Sequence, residues 1–410
     1  MFDANFIANP YPTYHQMQAN GRLHWIDFAG GAWLVPHYDD VMAMFRDARF
    51  SGARADLFTQ QFPEDQRRQL REFEEITRLW LAAMNGEEHL RLRRLLNKAF
   101  TPRVVEAMRP RIQRLTNELI DEFYAQGEVE LMHQFAHPLP AIVIAQLLGV
   151  PREDRRQFVG WSDHLATFFS SPKATIEQGR AANDALVAMR NYFRPIVAQR
   201  RQQPCDDLIS HMIAVEEQGD MFTEDQLLSQ CTLFLFAGHE TTRNLIGNGV
   251  KALLDHPEQL ELLRQNPDLL QSAIDEIVRY DCPVQLIPRI VTEDLELFGQ
   301  SLKQGQILQL MLGAANRDAA QFPEPDRFDI TRSYKRPASF GFGAHFCIGM
   351  PLAMMEIEIA FGTLIRRLPN LRLAGPAERS PNVTLRGFHT LPLAFDTVQA
   401  AIEEEQLVAV

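Results

Sequence analysis

The stretch Phe340-Gly341-Phe342-Gly343-Ala344-His345-Phe346-Cys347-Ile348-Gly349 sets three glycines and a histidine around one cysteine, just ahead of an apolar run. Glycine lets the backbone approach a bulky group and take positive φ. Amide N–H groups freed in this way can point at a sulfur, and a thiolate in apolar surroundings needs such donors to stay ionised. Donors to a metal-bound sulfur also tune the metal. A helix expected to begin near Pro351 adds its positive end at the same place. The plain alternative is a buried structural cysteine beside a glycine-rich turn.

Two other segments bear on that choice. Thr223-Glu224-Asp225-Gln226 reads as the capped start of a long helix running to about Leu254. Inside it lies Ala237-Gly238-His239-Glu240-Thr241-Thr242. Glycine weakens a helix by about 1 kcal/mol relative to alanine, and a threonine hydroxyl competes for backbone bonds. A bend and a small groove are expected there, with His239 turned away from it. An acid beside an alcohol suits proton movement, since one titrates and the other reorients. Further upstream, His89 and Arg93 are four apart and share one helical face. An imidazole and a guanidinium one turn apart can hold buried carboxylates.

The pattern Phe-x-x-Gly-x-His-x-Cys-x-Gly over 340–349 resembles the haem-thiolate loop of the cytochrome P-450 family, and Ala237-Gly238-His239-Glu240-Thr241 resembles that family's oxygen-activating helix. Phe, two Gly and Cys at such offsets arise by chance on the order of a few times per million start positions. The resemblance spans about residues 8–396 and implies one domain over 1–410, with 397–410 as a tail. The fold it implies is mainly α with small β-sheets, a long central helix lying over a haem held by the cysteine loop. Cys347 would ligate the iron of haem b (iron protoporphyrin IX). Phe340, Gly341, Gly349 and Ala237 would lie against the haem, and His89, Arg93, Arg289 and His345 would hold its propionates. Thr241 would hold distal water and Glu240 would relay protons. Met84, Phe168, Phe169, Phe234, Val284, Leu286, Ile287 and Phe388, with His389, are the substrate contacts the resemblance suggests. Glu276, Arg279 and Arg327 would brace the loop. One departure is Met354, where many members carry a basic residue.

That implies a haem monooxygenase that hydroxylates or epoxidises a hydrophobic small molecule, similar to bacterial enzymes acting on macrolides, other polyketides or fatty-acyl chains. The rival readings are a peroxide-driven or isomerising haem enzyme and a haem-binding sensor. No flavin segment, GxGxxG unit or four-cysteine cluster appears, so electrons are expected from a separate ferredoxin or flavodoxin and its reductase. From His89 to Arg114 eight Lys or Arg face one acid, Glu106, a candidate docking face for such a donor. No cation could be placed among the pocket candidates, which favours a polyketide, a terpenoid or a carrier-bound acyl chain over a free fatty acid.

Composition agrees. A net charge of −12 argues against nucleic acid. Cys205, Cys231, Cys282 and Cys347 form no CxxC or zinc spacing. Residues 1–21 lack a signal-peptide pattern, and Pro138 to Val150 is too short to span a bilayer. A monomeric cytoplasmic protein is expected. Elsewhere the patterns predict a hairpin over 23–35, a charged helix over 64–83, a buried helix over 138–148, and long helices at 153–170 and 174–200. Strands are predicted at 290–298 and 306–312, and a helix at 352–368.

Overall fold

The computed structural model describes residues 3–27, 31–171, 174–215 and 219–397. It is mainly helical with small sheets, as expected. Its largest sheet runs in the order β1-β2-β5-β4-β3, with β1 (His24–Ile26), β2 (Ala32–Val35), β3 (Phe50–Ser51), β4 (Leu286–Val291) and β5 (Ile307–Met311). β1 pairs antiparallel with β2, which is the expected hairpin; residues 28–30 of its turn lie outside the described residues. β2 pairs parallel with β5, and β5 antiparallel with β4.

The strand expected at 290–298 is placed differently. β4 begins at Leu286 and contains Pro288. β3 pairs only with Ile290 and Val291, so the edge at Pro288 is open and a proline is tolerated there. Residues 295–297 instead turn back on 300–302 through Phe298 and Gly299, at φ 52° and 77°. Two positive-φ residues make the tight turn whose twist suits a hairpin.

Eight helices position the site: α1 (Gly86–Ala99), α2 (Arg109–Tyr124), α3 (Pro138–Leu147), α4 (Arg155–Ser170), α5 (Ile176–Gln202), α6 (Glu224–Asp255), α7 (Leu270–Tyr280) and α8 (Met350–Arg367). α6 starts where the sequence placed it. Thr223 accepts from the Gln226 amide and Gln226 returns a bond to the cap, a full capping box. α3 is apolar all round because it is packed all round, including against α6. At Gly238 a Cβ would sit 3.2 Å from Ile144 Cδ1, so this glycine admits α3 to close approach.

Polar residues inside α6 have structural partners. Gln230 accepts from the Leu81 amide at 3.1 Å and donates to the Leu79 carbonyl, and Thr232 accepts from the Trp80 indole at 2.9 Å. These bonds pin segment 79–84 over the middle of the molecule. The charged stretch before it is a short helical turn at Glu64–Arg67 followed by a helix at Arg71–Arg78, not one continuous helix.

A charged brace ties α7 to the cysteine loop. Arg279 meets Glu276 at 2.7 and 2.8 Å, both side chains only 2% exposed. Arg279 also donates to the carbonyls of Asn316 and Pro325. Asn316 in turn bonds the Ala338 amide and Ser339 Oγ, two residues ahead of Phe340. The second arginine on Glu276 is Arg332, at 3.2 Å, and not Arg327 as expected. Arg327 contributes its backbone carbonyl, while its side chain is 59% exposed and pairs with Glu324. The sequence pattern gave no sign of the swap, because the chain turns between the two residues.

Candidate functional site

The cysteine loop is folded by its own backbone. The Cys347 amide donates to the Phe340 carbonyl at 3.0 Å. Gly341 and Gly343 take φ of 68° and 66°, which L side chains rarely adopt. Gly349 is different, with φ −80°, and opens α8 one residue ahead of Met350 and Pro351. Burial raises the Cys347 thiol, and the amides of Gly349 and Met350, with Arg93, act the other way. The residue lies deep in the molecule, and the surface it exposes faces a cavity.

α6 contributes Ala237, Gly238, Thr241, Thr242 and Leu245 to the wall of the same cavity. The helix runs without interruption from Glu224 to Asp255. Thr241 Oγ1 donates to the Ala237 carbonyl at 3.0 Å. Glu240 does not line the cavity or bond Thr241. Its two oxygens are held at 3.1 Å by Arg243 and Asn244 on the same helix. The expected acid–alcohol pair is thus adjacent in sequence and separate in hydrogen bonding, because consecutive residues point about 100° apart on a helix. His239 faces away from the cavity, as expected. It is buried against His137, and neither ring nitrogen has a partner.

Basic groups converge at one edge of the cavity. His89 and Arg93 come from α1, Arg289 from β4 and His345 from the loop. The two imidazoles stand 4.1 Å apart between centroids. His89 and Arg289 are each 2% exposed, and His89 Nε2 has no hydrogen-bond partner. Burial, then Arg93 and Arg289, pulls His89 down to about 4. Burial, then the neighbouring His89, Arg289, Arg54 and Arg93, draw His345 to about 2. Burial lowers Arg93, and burial with Arg54 brings Arg289 to about 9. The Asn85 amide is oriented so that its nitrogen donates to His345 Nε2 at 2.8 Å and its oxygen accepts from Ser51 and Gly52, an assignment made from the network. A fifth basic side chain, Arg54 from the irregular segment after β3, also lines the cavity.

A second cavity adjoins the first and shares Arg54, Ala82, Leu233, Ala237, Val284 and Ile287 with it. The expected substrate contacts divide accordingly. Phe234, Val284 and Ile287 line the first cavity; Phe169, Val284, Leu286 and Ile287 line the second. Met84, Phe168, Phe388 and His389 line neither. Phe168 is 1% exposed and packs in an aromatic cluster with Phe62 and Phe73, one helical step round from Phe169. Phe388 packs beside Gly247 under the Arg379 guanidinium, and His389 is an exposed strand residue. From the 79–84 segment Leu81 and Ala82 face the first cavity, and Trp80, Ala82 and Ala83 the second, in place of Met84.

A family model described as Cytochrome P450 matches residues 57–371. Cytochrome P450 CYP107DY1 of Priestia megaterium is 40% identical over 376 residues, 89% of this chain and 90% of that one. The biotin biosynthesis cytochrome P450 of Bacillus subtilis is 38% identical over 400 residues, 96% and 98% of the two chains. A solved structure of P450BioI in complex with acyl carrier protein ligated with hexadec-9Z-enoic acid matches with a TM-score of 0.89 at 36% identity, over 96% and 100%. This chain belongs to the cytochrome P450 family.

Membership makes it an oxidoreductase of the monooxygenase class and implies a haem-thiolate cofactor. The residues of this P450 fit such a group. A sulfur with two amide donors faces into the cavity, and the unpartnered His89 Nε2 and the arginines beside it lack the carboxylates that would satisfy them. Among the described residues the two cavity linings hold one acid, Glu356 of α8, whose carboxyl burial pushes well above the usual range. Neither Arg54 nor Glu356 was singled out from the sequence. Arg54 sits in no motif; its one signal was an arginine alone among small and apolar residues, Ser51 to Ala55.

The basic stretch 89–114 of this P450 is less free than its count suggests. Arg93 turns inward, Arg91 pairs with Glu88 and Asp220, and Arg109 pairs with Glu106 and Glu358. Arg111 lies 3.7 Å from Asp206. Arg103 and Arg114 are exposed.

Proposed function

We propose that this P450 carries haem b on Cys347 and oxidises a hydrophobic small molecule, such as a polyketide, a terpenoid or an acyl chain, with electrons from a separate ferredoxin or flavodoxin and its reductase. The observation that carries the reading is that Cys347 and Thr241 line one largely apolar cavity together with Arg54, Arg93 and Arg289, none of which has a carboxylate partner among the described residues. The haem supplies dioxygen activation; the chain supplies the ligand, the pocket and the protons. His89, Arg93, Arg289 and His345 hold the propionates, whose charge compensates guanidinium groups that burial otherwise disfavours. Phe340, Gly341, Gly349 and Ala237 form the walls against the ring. Thr241 positions distal water with a hydroxyl that can exchange the Ala237 carbonyl for it. Glu240 connects that water to solvent by turning from Arg243 and Asn244.

Reconstitution with a ferredoxin and reductase tests this. Oxygenated product that needs the donor proteins supports it. Turnover with hydrogen peroxide alone, unaffected by Thr241→Ala, establishes the peroxide-driven alternative, which the engagement of Glu240 outside the cavity would suit. Absence of any spin-state response and any turnover across hydrophobic probes establishes a sensor role.

The substrate class draws on the same walls. The lining of the second cavity is apolar apart from Arg54, Thr77 and Thr384. P450BioI, with its acyl-carrier-bound ligand, supports an acyl chain among the possibilities. We place the protein in the cytoplasm as a monomer; among the described residues no helix is long and apolar enough to cross a membrane.

A further inference from the structure

Among the described residues Arg54 is the one cation that faces both cavities. It lies within electrostatic range of Arg289 and His345, and unlike the four groups gathered at the cysteine loop it also lines the second cavity. His89, Arg93, Arg289 and His345, which line the first cavity, would serve the two propionates of the proposed haem. Arg54 extends past them into the second, where Phe58, Trp80, Phe169, Phe236 and Leu286 make the wall.

Its own chain does little for it. Its Nη1 reaches the Gly52 carbonyl at 3.5 Å, at the limit of a hydrogen bond. Among the described residues no carboxylate pairs with it. The charged or titratable groups it acts on are Arg289 and His345, both of which it repels. The second lining contains no acid at all. Burial accordingly brings Arg54 down to about 10, which still leaves it a cation at neutral pH. A half-buried guanidinium facing two cavities, with five donors and no acceptor, suits a planar anion that can take two of them. The apolar wall shared by the two cavities then runs from that anion past Leu233 and Ala237 to Thr241.

We propose that Arg54 anchors the carboxylate of an amphipathic monocarboxylic acid whose hydrocarbon chain lies along the shared wall toward Thr241. This deepens the reading of a haem enzyme for hydrophobic substrates and rests on it. It also reverses the sequence-based preference against free acids, which stood on the apparent lack of a pocket cation.

The test uses the holoenzyme and compares tetradecanoic acid with tetradecan-1-ol by spin-state titration in wild type, Arg54→Leu and Arg54→Lys. Losing one partner of a buried charge pair should weaken acid binding roughly thirtyfold or more in Arg54→Leu. The alcohol should bind the two proteins alike, Arg54→Lys should recover part of the acid affinity, and haem content should be unchanged. Equal weakening of acid and alcohol, or haem loss in Arg54→Leu, overturns the proposal in favour of a propionate contact. A wild type that prefers the alcohol, or binds neither probe while its haem spectrum is normal, also overturns it. A wild type that takes up no haem refutes the underlying reading instead.

Discussion

Thr241 and Glu240 act at the level of single bonds. Thr241→Ala removes the hydroxyl that faces the cavity and leaves the helix intact. Product formed per electron pair should fall several-fold while released hydrogen peroxide rises, as read by parallel product and peroxide assays; tight coupling in the variant would contradict the role. His239 offers a second test at this scale. Burial, His137 and Arg243 hold its imidazole down to about 3, with Asp163 acting the other way. Between pH 6.5 and about 3 the unfolded chain binds a proton that the folded chain refuses, so stability falls as pH drops through that window. His239→Phe should flatten the fall between pH 7.5 and 5 in thermal melts. An unchanged slope would show that His239 is not one of the groups responsible. Residues whose chemistry is local, such as Cys347 among its glycines or the Thr223 cap, were legible from the sequence. Phe168 and Phe169 were not separable, because neighbours on a helix share hydrophobicity and differ only in which way they point.

Helices and loops carry the next layer. The Glu276–Arg279 pair lies fully inside the protein and passes through Asn316 to the turn ahead of Phe340. Arg279→Ala leaves Glu276 charged and buried, and should cost about 3–5 kcal/mol with loss of bound haem. Chemical denaturation and haem content measure both; a variant of unchanged stability would remove the brace from the account. Gln230 and Thr232 pin segment 79–84 to α6, and Gln230→Ala should cost about 1–3 kcal/mol by orphaning buried backbone groups. At this scale the sequence revealed α3, α5, α6 and α8 through periodicity and caps. It could not reveal that Arg332 replaces Arg327 on Glu276, or that Arg54 reaches the cavities, since both sit in irregular segments whose course is set by tertiary packing.

Across the whole molecule, charge is arranged unevenly. The protein carries −12 overall, yet Arg103 and Arg114 remain exposed on the face formed by residues 89–114. Reversing both to glutamate should slow electron transfer from an acidic ferredoxin at low salt, and the difference should shrink as salt rises, since about 10 Å screening at 0.1 M suppresses long-range attraction. Stopped-flow reduction at two ionic strengths measures this; equal rates would place the donor elsewhere. The order of motifs made the family legible, because each local pattern supported the others. The cavity's inner surface was legible only in part, because it is assembled from α1, α6, β4 and the cysteine loop together.

The most direct measurement is the absorption spectrum of the reduced carbon monoxide complex of wild type and Cys347→Ser. A thiolate ligand predicts the red-shifted band in wild type and its loss in the variant. A red-shifted band that persists in Cys347→Ser would contradict the account at its centre.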